Sequence, residues 1–85
     1  MRTRQLLLAL SLIGLSQLAL AAPMTMEEAV ARATAAHPGQ VVKAYQEVKR
    51  GQEVWEVKIN GEDGKRWEIY YAADTGELIK EEMDD

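Results

Sequence analysis

The chain has 85 residues, room for one domain of the usual size of about 50–200 residues and not for a two-domain enzyme. Without cysteine it has no disulfide framework, thiolate zinc site, cysteine nucleophile, covalent haem attachment or lipid-modified N-terminal cysteine. The formal charge is −4; setting aside Arg2 and Arg4 leaves eight basic residues against fourteen acidic ones, a net −6, and the basic residues stand singly apart from Lys49-Arg50 and Lys65-Arg66, so no nucleic-acid partner is expected.

Arg2 and Arg4 precede a stretch free of charge, whose apolar part covers residues 6–20 and ends in Ala19-Leu20-Ala21. A basic start, an apolar middle and an A-x-A end are the pattern of a secretory signal peptide, residues 1–21, cleaved between Ala21 and Ala22. Its 15 apolar-region residues fall short of the roughly 18–20 needed for a stable membrane anchor. A periplasmic or secreted product with no stable anchor is therefore expected. The mature part, residues 22–85, must be held together by its apolar core alone.

From Thr25 to His37 the residues are T-M-E-E-A-V-A-R-A-T-A-A-H. Thr25 and Glu28 stand in the relation of a capping box, and Glu27 and Glu28 suit the positive end of a helix. Met26, Ala29, Val30, Ala33 and His37 recur at helical spacing, and Pro38-Gly39 supplies the stop. The period then changes to two, predicting strands at 41–48, 53–60 and 66–73, with a short fourth at 77–82 and a frayed tail from Glu81 to Asp85. Lys49-Arg50-Gly51-Gln52 and Gly61-Glu62-Asp63-Gly64-Lys65 are hairpin connections.

Alternation assigns faces. Trp55, Val57 and Ile59 in the second strand and Trp67, Ile69, Tyr71 and Ala73 in the third point to the helix, while Val54, Glu56, Lys58, Arg66, Glu68, Tyr70 and Ala72 point away. In the first strand Val42, Ala44 and Val48 are expected inward, and Tyr45 outward with Val41, Lys43 and Glu47. The fold class is α+β, one N-terminal helix packed on a three- to four-stranded antiparallel sheet.

Little here reads as catalysis. His37 is the only histidine, at a helix end, and the mature part has no serine, so Ser-His-Asp chemistry is excluded. Glu56 and Glu68 are expected to pair across strands with Lys58 and Arg66, because a flat open sheet offers no burial to raise a carboxyl pKa. Glu62-Asp63-Gly64 and the acidic tail lack the spacing of a calcium loop, and no metal or cofactor is expected. Trp55 and Trp67 read as core residues. Tyr45 and Tyr70, on the uncovered face beside Glu56 and Glu68, have the aromatic-with-charged-rim composition of a protein interface.

Several strings resemble the PepSY domain: Glu27-Glu28-Ala29 with His37-Pro38-Gly39, Trp55-Glu56-Val57-Lys58-Ile59, Asp63-Gly64-Lys65, Trp67-Glu68-Ile69-Tyr70-Tyr71 and, most specific, Ala73-Asp74-Thr75-Gly76-Glu77-Leu78-Ile79. The resemblance covers almost the whole of residues 22–85. Ala72 stands where many members carry an aspartate, which puts the tightness of the last turn in doubt. The resemblance implies a non-catalytic module outside the cytoplasm, of a family proposed to bind and restrain peptidases; a monomer or a weakly self-associating chain is expected. The interface it would use is assigned to Tyr45, Glu56, Glu68 and Tyr70. The competing expectation is an envelope sensor or accessory module that binds a cation or small ligand and acts on a membrane protein.

Overall fold

The computed structural model describes residues 22–84; the expected signal peptide, with its cleavage after Ala21, lies outside the described residues. Helix α1 spans Met26–Ala36 with Thr25 as its N-cap. The Glu28 backbone N–H donates to Thr25 Oγ1 at 3.1 Å and the Thr25 N–H donates to Glu28 Oε1 at 2.8 Å, so two amides left free by the helix start are satisfied reciprocally. At the other end the His37 N–H reaches Ala33 O at 2.8 Å before Pro38 stops the helix.

Four strands follow, β1 (Gly39–Lys49), β2 (Gln52–Gly61), β3 (Arg66–Ala72) and β4 (Leu78–Asp84), in one antiparallel sheet of order β1-β2-β3-β4. The tail expected to fray is instead the second half of β4, held in register with β3 as far as Asp84 opposite Arg66. At the first hairpin Arg50 and Gly51 both have positive φ, 54° and 76°, the conformation that matches a two-residue turn to the right-handed twist of its strands. The last turn is closed by backbone bonds, Ala72 N–H to Glu77 O at 2.8 Å and Gly76 N–H to Ala72 O at 2.7 Å. A side-chain carboxylate at position 72 is not needed to close it.

Helix α1 packs over β1 and β2. Ala29 and Ala33 are fully buried against Val57, Ile59, Ile69 and Tyr71, with Val30, Val41, Ala44, Trp55 and Trp67 around them. Small helix residues allow close approach, and the large strand residues fill the space, as alternation in β2 and β3 predicts. Met26 is not a core residue; it is 40 % exposed, and Met24, just ahead of the helix, is buried in the core instead, its N–H bonded to Ala73 O at 2.7 Å. The indole N–H of Trp55 donates to Met24 O at 2.9 Å, and Arg32 Nη1 donates to Gly76 O at 2.7 Å. These bonds tie the start of the domain to its last turn.

The inward set of β1 differs from expectation. Val41 pairs with Ile59 but Lys43 pairs with Lys58, so Val42 is an unpaired bulge residue. One extra residue reverses parity on its N-terminal side. Val41 therefore turns toward the core and Val42 is 58 % exposed; Val48 keeps the helix-side parity but stands beside the hairpin, 65 % exposed. Of the three residues expected inward, only Ala44 is. At the start of β1, a Cβ on Gly39 would lie 2.2 Å from Asn60 O and 2.7 Å from Gly61 Cα. Gly39→Ala is therefore expected to push β1 from β2 and to cost about 1–2 kcal/mol, read as a lower urea midpoint. An unchanged midpoint would show that the two strands do not approach so closely.

Candidate functional site

On the sheet face opposite α1, antiparallel register aligns Tyr45, Glu56, Tyr70 and Lys80 in one row across all four strands. The Tyr45 hydroxyl donates to Glu56 Oε1 at 2.5 Å. The Tyr70 hydroxyl lies 3.1 Å from Glu56 Oε2 and 3.1 Å from Glu68 Oε1, sharing its one proton between them. All four residues assigned to the interface are thus in one connected cluster. Glu56 is its centre.

The surroundings of Glu56 differ from the expected cross-strand ion pairs. Glu56 is 3 % exposed, and among the described residues neither it nor Glu68 has an ammonium or guanidinium within ion-pair distance; Arg66 pairs with Asp84 at 3.7 Å and Lys80 with Glu82 at 3.1 Å. The sheet face provides burial because side chains of β1 and β3 lean over β2. Lys43 Nζ lies 4.9 Å from the centre of the Tyr45 ring, and Lys49 and Lys80 Nζ lie 4.4 and 5.7 Å from that of Tyr70, distances at which a cation is attracted to a ring face. Tyr70 is only 6 % exposed, so the surface of the site is formed by Tyr45, Glu68 and these lysines.

Burial alone would push the Glu56 carboxyl up, but hydrogen bonds from the Tyr45 and Tyr70 hydroxyls, with the field of Lys58, together hold it below its ordinary value. The opposite shift falls on the donors. The Tyr45 hydroxyl is pushed up to about 12, first by its bond to Glu56 and then by burial. Burial is the main cause for Tyr70, which is also raised, followed by its bonds to Glu56 and Glu68. The cluster therefore carries a buried carboxylate and neutral phenols at neutral pH, the arrangement of a fixed scaffold rather than of a proton donor. Glu47 Oε2, at its edge, is buried without a hydrogen-bond partner.

The other candidates lie elsewhere. His37 caps α1, stacks on Trp67 with ring centres 3.8 Å apart, and places Nε2 3.1 Å from Glu81 Oε2. The Trp67 indole N–H donates to Asp63 Oδ2 at 3.1 Å. Among the described residues no group of three or more His, Asp or Glu converges to hold a metal ion, and no helix is long and apolar enough to cross a membrane. Lys43 and Glu47 were placed on the Tyr45 face by alternation. Lys49 and Lys80 were not, and only the register of β4, which no local pattern fixes, shows Lys80 beside Tyr70.

Residues 23–82, which hold the helix and nearly all of the four-stranded meander, match a family model, the peptidase propeptide and YPEB domain, PepSY. The chain belongs to the PepSY family. Neither the curated proteins nor the solved structures contain a significant match.

Proposed function

We propose that residues 22–85 form an exported, non-catalytic protein-binding module that inhibits a secreted or periplasmic peptidase, released from residues 1–21 by cleavage after Ala21. The family supports the peptidase link, since the same domain occurs in peptidase propeptides. The carrying observation is the Tyr45–Glu56–Tyr70 cluster on the face that α1 leaves free. A buried carboxylate holds both phenols in fixed positions, so a partner docking there orders few additional side chains, which favours affinity. A pleated surface of this kind can cover a peptidase cleft without offering a cleavable loop. Tyr45 and Glu68 make the contact in this reading, and Glu56 and Tyr70 hold it in shape.

Affinity capture from the extracytoplasmic proteins of the native host, followed by peptidase assay, tests this. The wild type is expected to retain and inhibit a peptidase, and Tyr45→Ala, which removes the more exposed of the two rings, to weaken binding about 30-fold, as for an interface anchor worth about 2 kcal/mol. Tyr45→Ala/Tyr70→Ala should abolish it, with circular dichroism confirming that each variant is folded. Equal inhibition by wild type and folded Tyr45→Ala would remove this face from the mechanism. Recovery of a membrane sensor or transporter, with no effect on any peptidase, would remove the inhibitor reading.

A further inference from the structure

Beside the tyrosine cluster, at the β1–β2 hairpin end of the uncovered face, is a cleft of about 630 Å³ lined chiefly by Lys49, Arg50, Val54, Tyr70, Ile79 and Lys80. Every charged residue lining it is basic, in a chain whose residues 22–85 carry a net −6. The Lys49 and Lys80 ammonium groups arrive from β1 and β4, at opposite edges of the sheet, and lie over the same ring at 4.4 and 5.7 Å. Tyr70 cannot turn aside, because its hydroxyl is held by Glu56 and Glu68. Two like charges over one buried ring repel each other more than they would in open water. Lys80 has Glu82 beside it, whereas Lys49 and Arg50 have no carboxylate within ion-pair distance among the described residues.

The cleft also has an apolar side. Val54 is buried, and Ile79 is 47 % exposed. Ile79 is the extra residue of the bulge between the pairs Tyr71–Leu78 and Tyr70–Lys80, and bulges re-aim side chains in this way. The volume is too large for a single inorganic anion and lies in the range of roughly 300–1,000 Å³ typical of sites for larger ligands. We infer that this cleft receives an acidic peptide segment of a protein partner, its carboxylates against Lys49, Arg50 and Lys80 and a neighbouring apolar side chain against Val54 and Ile79. The inference rests on the reading of the chain as a protein-binding module.

The test is a titration of the purified ¹⁵N-labelled protein with acetyl-Leu-Glu-Asp, against acetyl-Leu-Gln-Asn-amide as the uncharged control. Saturable amide shifts at residues 49–54, 70, 79 and 80 are expected, weakening as salt is added. Lys49→Gln and Lys80→Gln, which keep much of each stem, should each weaken binding about fivefold. Absence of saturable shifts, or equal shifts with the uncharged peptide, overturns the inference. Binding only to phosphatidylglycerol vesicles also overturns it, since the cleft would then be a membrane contact. The two readings fail separately: peptidase binding that survives Lys49→Gln/Lys80→Gln but is lost in Tyr45→Ala sinks the acidic-segment cleft and leaves the inhibitor standing.

Discussion

Ile69→Ala is expected to lower stability by about 2–5 kcal/mol, the range for truncating a large aliphatic side chain in a core. Ile69 has no exposed surface and sits opposite Val57 in the middle of the sheet, within the cluster that Ala29 and Ala33 close from above. Alanines on the helix cannot reach into the void, and the hydrogen-bonded ladders on both sides of β3 keep the backbone from collapsing into it. For a domain of this length a total of about 3–9 kcal/mol is typical, so the variant should lose a large share of its stability and unfold at a much lower urea concentration. Urea unfolding followed by tryptophan fluorescence measures the loss, with Val42→Ala as the contrast. Val42 is a bulge residue exposed to solvent, and its truncation should change stability by less than about 0.5 kcal/mol. Similar losses in both variants would mean that the inward set of β1 is wrong.

Glu56→Ala should cost about 1.5–3 kcal/mol, because it removes the charged acceptor shared by two phenols and leaves the Tyr45 hydroxyl without its partner. The same carboxylate gives stability a defined pH dependence. Its folded-state pKa is below the ordinary 4.5, so the folded protein binds the proton more weakly than the unfolded chain. The contribution is fully present above pH 4.5 and is lost as pH falls from there through the folded value. Tyr45 has the opposite sign at the other end. Pushed up to about 12 from 10.0, it stabilises the fold below pH 10 and loses that contribution as pH rises toward 12. Thermal melts from pH 2 to pH 8 should show a shallower acid limb in Glu56→Gln than in the wild type. Parallel limbs in the two proteins would show that Glu56 has no special interaction in the folded state.

Helix α1 could be read almost to its ends because its signals are local: Thr25 and Glu28 bond within one turn, and Pro38 follows directly. The faces of β2 and β3 could be read for the same reason, since alternation is unbroken there. In β1 a single bulge defeats the parity argument, and nothing in Val41-Val42-Lys43 announces it. That Tyr45, Glu56, Glu68 and Tyr70 lie on one face was legible, as they share one parity. The burial of the site was not, because the exclusion of water from Glu56 depends on the Tyr45 and Tyr70 side chains closing on it from the flanking strands β1 and β3. A carboxylate on a half-open sheet looks solvated until the long side chains of its neighbours are placed. The fourth strand extends past its expected end because pairing with β3 holds residues that have little strand propensity of their own.

The order β1-β2-β3-β4 has a kinetic meaning as well. Each strand pairs with its immediate successor, so the sheet can zip from one hairpin to the next while closing only short loops, and low contact order of this kind favours rapid folding. Only a few ties span most of the domain, among them Met24 to Ala73, Arg32 to Gly76 and His37 to Glu81. They close the longest loops and are therefore expected to form last, once the meander has brought its two ends together. A chain with no disulfide to form can thus reach its final shape without an oxidase or a disulfide isomerase.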